Sequence, residues 1–173
     1  MDPGNVIRVQ LKWPNDIYAN GLKIGGILCH STYRDRAFQL VWGLGLNVAN
    51  AQPTTSLVAL IGEEARRLQI DALAPRRETL LAQLLNWLEP AVARLAVDGF
   101  DPFRPAYLGA WLHTDQRVEL EEGGEKVPVI VRGLTDDGYL LAQDAGGAQR
   151  YELHPDGNSL DFFKGLVRKK LPV

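Results

Sequence analysis

The sequence is short of cysteine, histidine and net charge, and it has no long apolar run. Its single cysteine, Cys29, excludes an internal disulfide and points to a reducing compartment. The three histidines, His30, His113 and His154, are too scattered for metal-ligand spacing. A net charge of −2 over 173 residues leaves no electrostatic footprint for nucleic acid or an anionic membrane, so neither is expected as a partner. There is no stretch of about 18 apolar residues, and no charged segment leading into an apolar one at the start. The expected setting is therefore intracellular and most simply the cytoplasm, with a chloroplast or mitochondrion as the alternative where a parent chain carries a transit peptide. Internal repeats, low-complexity segments and a nucleophile elbow are also missing.

What remains is 46% hydrophobic and 23% charged, the balance of a soluble globular protein. The length suits one generous domain, or a moderate one followed by a small one. Residues 6–48 read as an antiparallel meander. Val6 to Leu11 is the first strand, and Pro14, Asn15 and Asp16 bend the chain out of it. Asn20–Gly21 is a hairpin signal, since both residues tolerate positive φ. A strand around Ile24 to His30 follows, then a turn near Arg34–Asp35–Arg36, then a long strand from Ala37 to Val48.

Thr55 or Ser56 is placed to cap a helix through "LVALIGEEARRL", with Glu63 and Glu64 on its exposed face. Leu80, Leu81, Leu84, Leu85, Leu88, Val92 and Leu95 recur at helical spacing, and Pro90 should kink or split that helix. Phe103, Tyr107, Leu108 and Trp111 form a short aromatic helix whose rings serve packing. From Thr114 onward, short strands alternate with Gly-Gly and Asp-Gly turns, the texture of a small barrel or sandwich. Arg168, Lys169 and Lys170 read as a solvated tail, and "HPDGNSLDFF" as a turn into a final strand or helix. The change of texture near residue 113 is the best boundary, giving domains 1–113 and 114–173.

Strand alternation sorts these side chains into faces. Phe38, Leu40, Trp42, Leu44, Leu46 and Val48 make one face of the long strand, expected to be core; the other carries Gly43, Gly45 and Asn47. Two glycines on one face suggest close approach to the backbone, with a bulge or bend as the alternative. Lys23 and Gly25 share a face of their strand by alternation, as Arg8, Gln10 and Lys12 do of theirs; paired in a meander, one sheet face gathers these cations beside glycine backbone, with Asn15 and Asp16 at the rim. A lysine-rich face with bare glycine backbone suits an anionic, flat-edged ligand, and Asp16 is an oxygen ligand for a hard cation such as Mg²⁺. The bland alternative is that Lys12 and Lys23 are ordinary solvated residues. "GLGLN" lacks the third glycine of a dinucleotide loop.

"KWPNDI" at 12–17, "KIGGIL" at 23–28 and "GLGLNV" at 43–48 resemble the biotin protein ligases, in the family's order and near its spacing. "HPDGNSLDF" at 154–162 resembles the C-terminal domain of the eukaryotic enzymes. The resemblance implies an α+β fold, an antiparallel sheet with packed helices, followed by a small SH3-like β-barrel. It implies ATP and biotin as substrates, Mg²⁺ as cofactor, and biotin carrier domains of carboxylases as partners. It assigns Lys23 the catalytic part. It places Lys12, Asn15, Asp16, Gly25, Gly26, Ile27, Gly43, Gly45, Leu46 and Asn47 at the biotin and adenylate site, with Asp16 the Mg²⁺ contact. The family's GRGRxGRxW loop string does not occur in these 173 residues. The chain is thus expected to be the C-terminal portion of a ligase, with little activity alone. The alternatives are a lipoate-ligase-like acyltransferase, or a non-catalytic fragment that docks carrier domains.

Overall fold

A computed structural model describes residues 7–50, 52, 54–122, 125–153, 158–161 and 166–169. The chain divides into two compact units, 1–110 and 111–173.

In the first unit, β1 (Val9–Lys12), β2 (Asp16–Ala19), β3 (Leu22–Arg34) and β4 (Ala37–Leu46) form an antiparallel sheet in sequence order. The expected turns are present. Asn20 and Gly21 sit at φ 48° and 82°, the double positive φ of a tight hairpin, and the Asn20 side chain accepts the Arg8 N–H at 3.1 Å. Asp35 and Arg36 also adopt positive φ between β3 and β4. Strand β3 extends beyond the expected Ile24 to His30 at both ends, whereas β4 stops at Leu46, two residues short of Val48, and the two pair in continuous register from Gly25↔Leu46 to Arg34↔Ala37.

Helix α1 (Leu57–Leu68) is capped by Ser56, whose hydroxyl accepts the Ala59 N–H. Its Leu60 joins Ala19 and Ile24 in a small core, with Ile7, Ile17, Leu46 and Leu57 packed around them. Glu63 is exposed as expected, but Glu64 is half-buried and pairs with Arg67 at 2.5 Å. Helix α2 (Arg77–Asp98) runs without interruption through Pro90. The proline thus removes one backbone donor from a long helix without splitting it. Helix α3 (Arg104–Ala110) packs as its aromatics suggested. Phe100 meets Tyr107 edge-on, and Arg94 lies over the Phe103 ring.

The expected core face of β4 is only partly a core. Leu46 is packed, but Leu44, Trp42, Leu40 and Phe38 are exposed, Phe38 by 70%. The reason is coverage: among the described residues, the cluster around Leu60 of α1 takes in Leu46 but none of Leu44, Trp42, Leu40 and Phe38. The apolar stripe of α2 is real in sequence, yet no residue of that helix is buried, and Trp87 is 80% exposed. Between β4 and α2, Leu44, Leu46, Val48, Leu80, Leu84 and Trp87 line an open apolar groove of about 760 Å³.

The second unit is a six-stranded sheet of β5 (Arg117–Glu122), β6 (Glu125–Leu134), β7 (Leu140–Asp144), β8 (Arg150–Leu153), β9 (Asn158–Asp161) and β10 (Leu166–Lys169). The order is β8-β7-β6-β5-β10-β9, with β5 and β10 parallel and the other pairs antiparallel. Val118, Leu120, Val129, Val131, Leu140, Ala142 and Leu153 are its buried face. His113 is fully buried, its Nδ1 2.9 Å from Gln116 Oε1, with Trp111 packed edge-on. Among the described residues β8 and β9 remain the two ends of an open sheet, so the expected closed barrel is not seen. Arg168 and Lys169 belong to β10, paired to β5 and β9, rather than to a loose tail. The expected turn at 154–157 lies outside the described residues, as does Lys170; 158–161 form a strand as anticipated.

Candidate functional site

The site is built by a β-bulge. Strand β2 pairs with β3 as Asp16↔Gly26 and Ile17↔Gly25, then slips to Tyr18↔Lys23, which leaves Ile24 as the extra residue. A bulge resets alternation on the bulged strand. Ile24 turns into the core beside Ala19 and Leu60. Lys23 comes round to the face of Asp16, Tyr18 and Gly26. Simple alternation had grouped it with Gly25; the bulge corrects that to Gly26.

On this face Lys23 Nζ lies 2.5 Å from Asp16 Oδ1, and Lys12 Nζ lies 4.0 Å from the other carboxylate oxygen. Asp16 thus stands between two ammonium groups. Its side chain is 18% exposed and that of Lys23 47%, so the contact stabilises the fold by at most about 1 kcal/mol. What it fixes is direction. The Lys23 ammonium is held over a shallow depression of about 460 Å³ lined by Asn15, Asp16, Gly26, Leu28, Gly43, Leu44 and Gly45.

The glycines divide into two kinds. A Cβ on Gly25 would fall 2.5 Å from the Gly45 carbonyl oxygen, so this position is glycine because two strand backbones touch. At Gly43 and Gly45 a Cβ would meet nothing closer than 3.9 and 4.0 Å. Their bareness therefore leaves room above the sheet rather than within it. Gly26 is intermediate, its nearest neighbours being the Asn15 carbonyl at 3.3 Å and Asp16 Oδ1 at 3.5 Å.

The structure therefore brings Asn15, Asp16, Lys23, Gly26, Gly43 and Gly45 to one depression, with Lys12 behind Asp16. Gly25, Ile27 and Leu46 belong to the opposite face by register. Asn47 acts through its main chain, its N–H donating to the Ile24 carbonyl at 2.7 Å and its own carbonyl accepting from Leu57 at 3.0 Å. Two residues on the site face escaped sequence reading, Leu28 and Tyr18. The signal for Leu28 was available, since it alternates with Gly26; Tyr18 needed the pairing across the bulge.

Tyr18 is buried and its phenol is pushed above the usual tyrosine value, first by burial and then by the Asp16 charge, with Lys23 opposing. The neutral phenol is thereby favoured in the folded state. Its contribution to stability is fully present below the ordinary value of 10.0 and is lost as pH rises through the higher folded value. In an alkaline titration followed by phenolate absorbance, Tyr18→Phe is expected to remove one late-titrating component and to flatten the loss of stability above pH 10.0. An unchanged late component would contradict this.

Among the described residues there is no cluster of three or more histidine, cysteine, aspartate or glutamate side chains suited to a metal, and no helix long and apolar enough to cross a membrane.

Comparison with known proteins places this geometry. Residues 3–47 match the Biotin/lipoate A/B protein ligase family, and residues 113–165 match the Biotin protein ligase C terminal domain. The chain is 46% identical over 169 residues to the chloroplastic Biotin–protein ligase 1 of Arabidopsis thaliana, covering 95% of this chain and 45% of that one. It is 36% identical over 166 residues to the human Biotin–protein ligase, covering 95% of this chain and 22% of that one. The solved biotin protein ligase from Aquifex aeolicus in complex with biotin and ATP superposes with a TM-score of 0.61 at 22% identity, covering 84% of this chain and 58% of that one. That likeness shows a shared fold. The chain spans about half the length of the plant relatives it matches.

Proposed function

Since this chain belongs to the biotin protein ligase family, we propose that the depression under Lys23 is the adenylate seat of an ATP-dependent biotin ligase. The reaction runs in two steps. The biotin carboxylate attacks the α-phosphate of ATP, forming biotinyl-5′-AMP and releasing pyrophosphate. A lysine of a carboxylase carrier domain then attacks the mixed anhydride, and AMP leaves with the electron pair of the broken bond. The first step brings two anions together and the second releases one, so positioned positive charge and close fit do most of the catalysis.

The observation that carries this reading is an ammonium aimed by Asp16 across a glycine floor. Lys23 would draw the biotin carboxylate toward the α-phosphate and then balance charge on the adenylate. Gly26, Gly43 and Gly45 would let the flat acyl adenylate lie against the sheet, with Leu28 offering apolar contact. Lys12 supports Asp16 from behind. Gly25 and Leu46 act by holding strands, and Ile27 by register on the far face.

Magnesium fits this site only as a companion of the ATP phosphates. The one carboxylate lining the depression, Asp16, already serves two ammonium groups, and a divalent ion prefers several oxygens. We place the catalytic part at 1–113 and read 114–173 as the SH3-like module, supported by the family match from residue 113. Carrier domains of biotin-dependent carboxylases are the protein partners of this reading, and the cytoplasm or a plastid its setting; the Arabidopsis relative is named chloroplastic.

Biotin is preferred over lipoate because the named relatives are biotin ligases. The test is calorimetric titration of the 173-residue chain with biotinyl-5′-AMP, lipoyl-5′-AMP and an isolated carrier domain. Binding of the biotinyl adenylate above the lipoyl one is expected, with little ATP-dependent turnover, since the arginine-glycine loop string is not in this sequence. Binding of the carrier domain alone would replace this reading with that of a docking module.

A further inference from the structure

Lys23 stands where the strand ladder runs out. Strand β4 pairs with β3 only as far as Gly25↔Leu46, so Lys23 and Ile24 lie beyond its last partner. On the other flank is the bulge, where pairing with β2 slips by one residue. Lys23 keeps Tyr18 as its β2 partner beside the bulged Ile24 but has no β4 partner, so its main chain needs a restraint on that side from beyond the strand.

The segment after β4 supplies it. The Asn47 N–H donates to the Ile24 carbonyl at 2.7 Å, and the Thr54 hydroxyl donates to the Lys23 carbonyl at 2.5 Å across 31 residues of sequence. The same segment is stitched to the start of α1. Leu57 N–H donates to the Asn47 carbonyl and Val58 N–H to the Val48 carbonyl, both at 3.0 Å, while Ser56 caps the helix. The main chain at Lys23 is thus tied, through one hydroxyl, to a buried helix start.

We infer that Thr54 is a positioning residue for the biotinyl-adenylate chemistry: it fixes the Lys23 carbonyl and so sets the course of the ammonium toward Asp16 and the glycine floor. The inference rests on the function proposed above. Thr54 does not line the depression, so its effect passes through Lys23. Valine keeps the branched shape and removes the donor, whereas serine keeps the donor and removes a methyl.

The experiment measures two things on the 173-residue chain, wild type, Thr54→Val and Thr54→Ser. One is biotinyl-5′-AMP affinity by calorimetry. The other is the Lys23 Cε resonance, assigned by its disappearance in Lys23→Arg. Thr54→Val is expected to weaken binding about five- to tenfold, the worth of one hydrogen bond, and to shift the Lys23 resonance. Thr54→Ser is expected to restore both. Wild-type affinity with an unshifted resonance in Thr54→Val overturns the inference, as does a serine variant as impaired as the valine one. Should the wild-type chain fail to bind the adenylate, the ligase reading falls, and the Lys23 resonance alone decides the role of Thr54. Should Thr54→Val fail to fold, Thr54→Ala carries the same comparison.

Discussion

Replacing Lys23 by methionine is expected to weaken biotinyl-5′-AMP binding by about ten- to a hundredfold, the range for losing a hydrogen bond to a charged group. Methionine keeps an unbranched apolar stem, so the change isolates the ammonium. The fold should survive. Lys23 is half exposed, and Asp16 retains Lys12 as a second cation at 4.0 Å. The cost in stability is accordingly small, about 1 kcal/mol or less. Lys23→Arg should fall between the two, because a planar guanidinium carries the charge but cannot deliver it as a compact point. Calorimetry on the three proteins, with a thermal melt for each, checks the claim. Equal affinity in wild type and Lys23→Met would remove Lys23 from the site.

The second large effect separates glycines that hold the sheet from glycines that leave room on it. Gly25→Ala forces a methyl to within 2.5 Å of the Gly45 carbonyl, a backbone atom that cannot swing away. Overpacking of this kind costs about 1–3 kcal/mol, and the melting temperature should drop by several degrees. Gly45→Ala makes only an ordinary contact with the Gly26 carbonyl oxygen at 4.0 Å, and alanine in a strand gains about 0.5–1 kcal/mol over glycine, so this variant should be at least as stable as wild type. Its methyl nevertheless stands in the depression, so adenylate binding should fall. The pair therefore predicts opposite signs in a melt and loss of binding where stability is kept. A stable Gly25→Ala, or a Gly45→Ala that binds like wild type, would contradict the division.

How much of this was legible in the sequence depends on the range of the interaction concerned. Asn20–Gly21 announced its turn because the conformational demand is local, and Thr55–Ser56 announced a helix start for the same reason, the structure choosing Ser56 as the cap. The motifs around Lys23 and Asp16 marked the site by resemblance. The face on which Lys23 emerges was not legible, since the bulge at Ile24 arises from pairing between two strands rather than from either alone. Alternation also overstated the core. Phe38, Leu40 and Trp42 are apolar in the right rhythm, but rhythm names a face without naming what covers it. Thr54 was silent for a simpler reason: a hydroxyl reaching across 31 residues leaves no local pattern.

Strand β4 has one further consequence, for the handling of the protein in solution. It is the last strand of its sheet, ten residues long, with Leu40 and Trp42 exposed on one face and Val41 on the other. Among the described residues its outer flank has no partner strand, and the alternate backbone groups that point outward there, between oily side chains, are the arrangement that recruits further strands from neighbouring molecules. Clouding on concentration follows from this geometry, and a charged residue in place of Leu40 is where a soluble form of the chain begins.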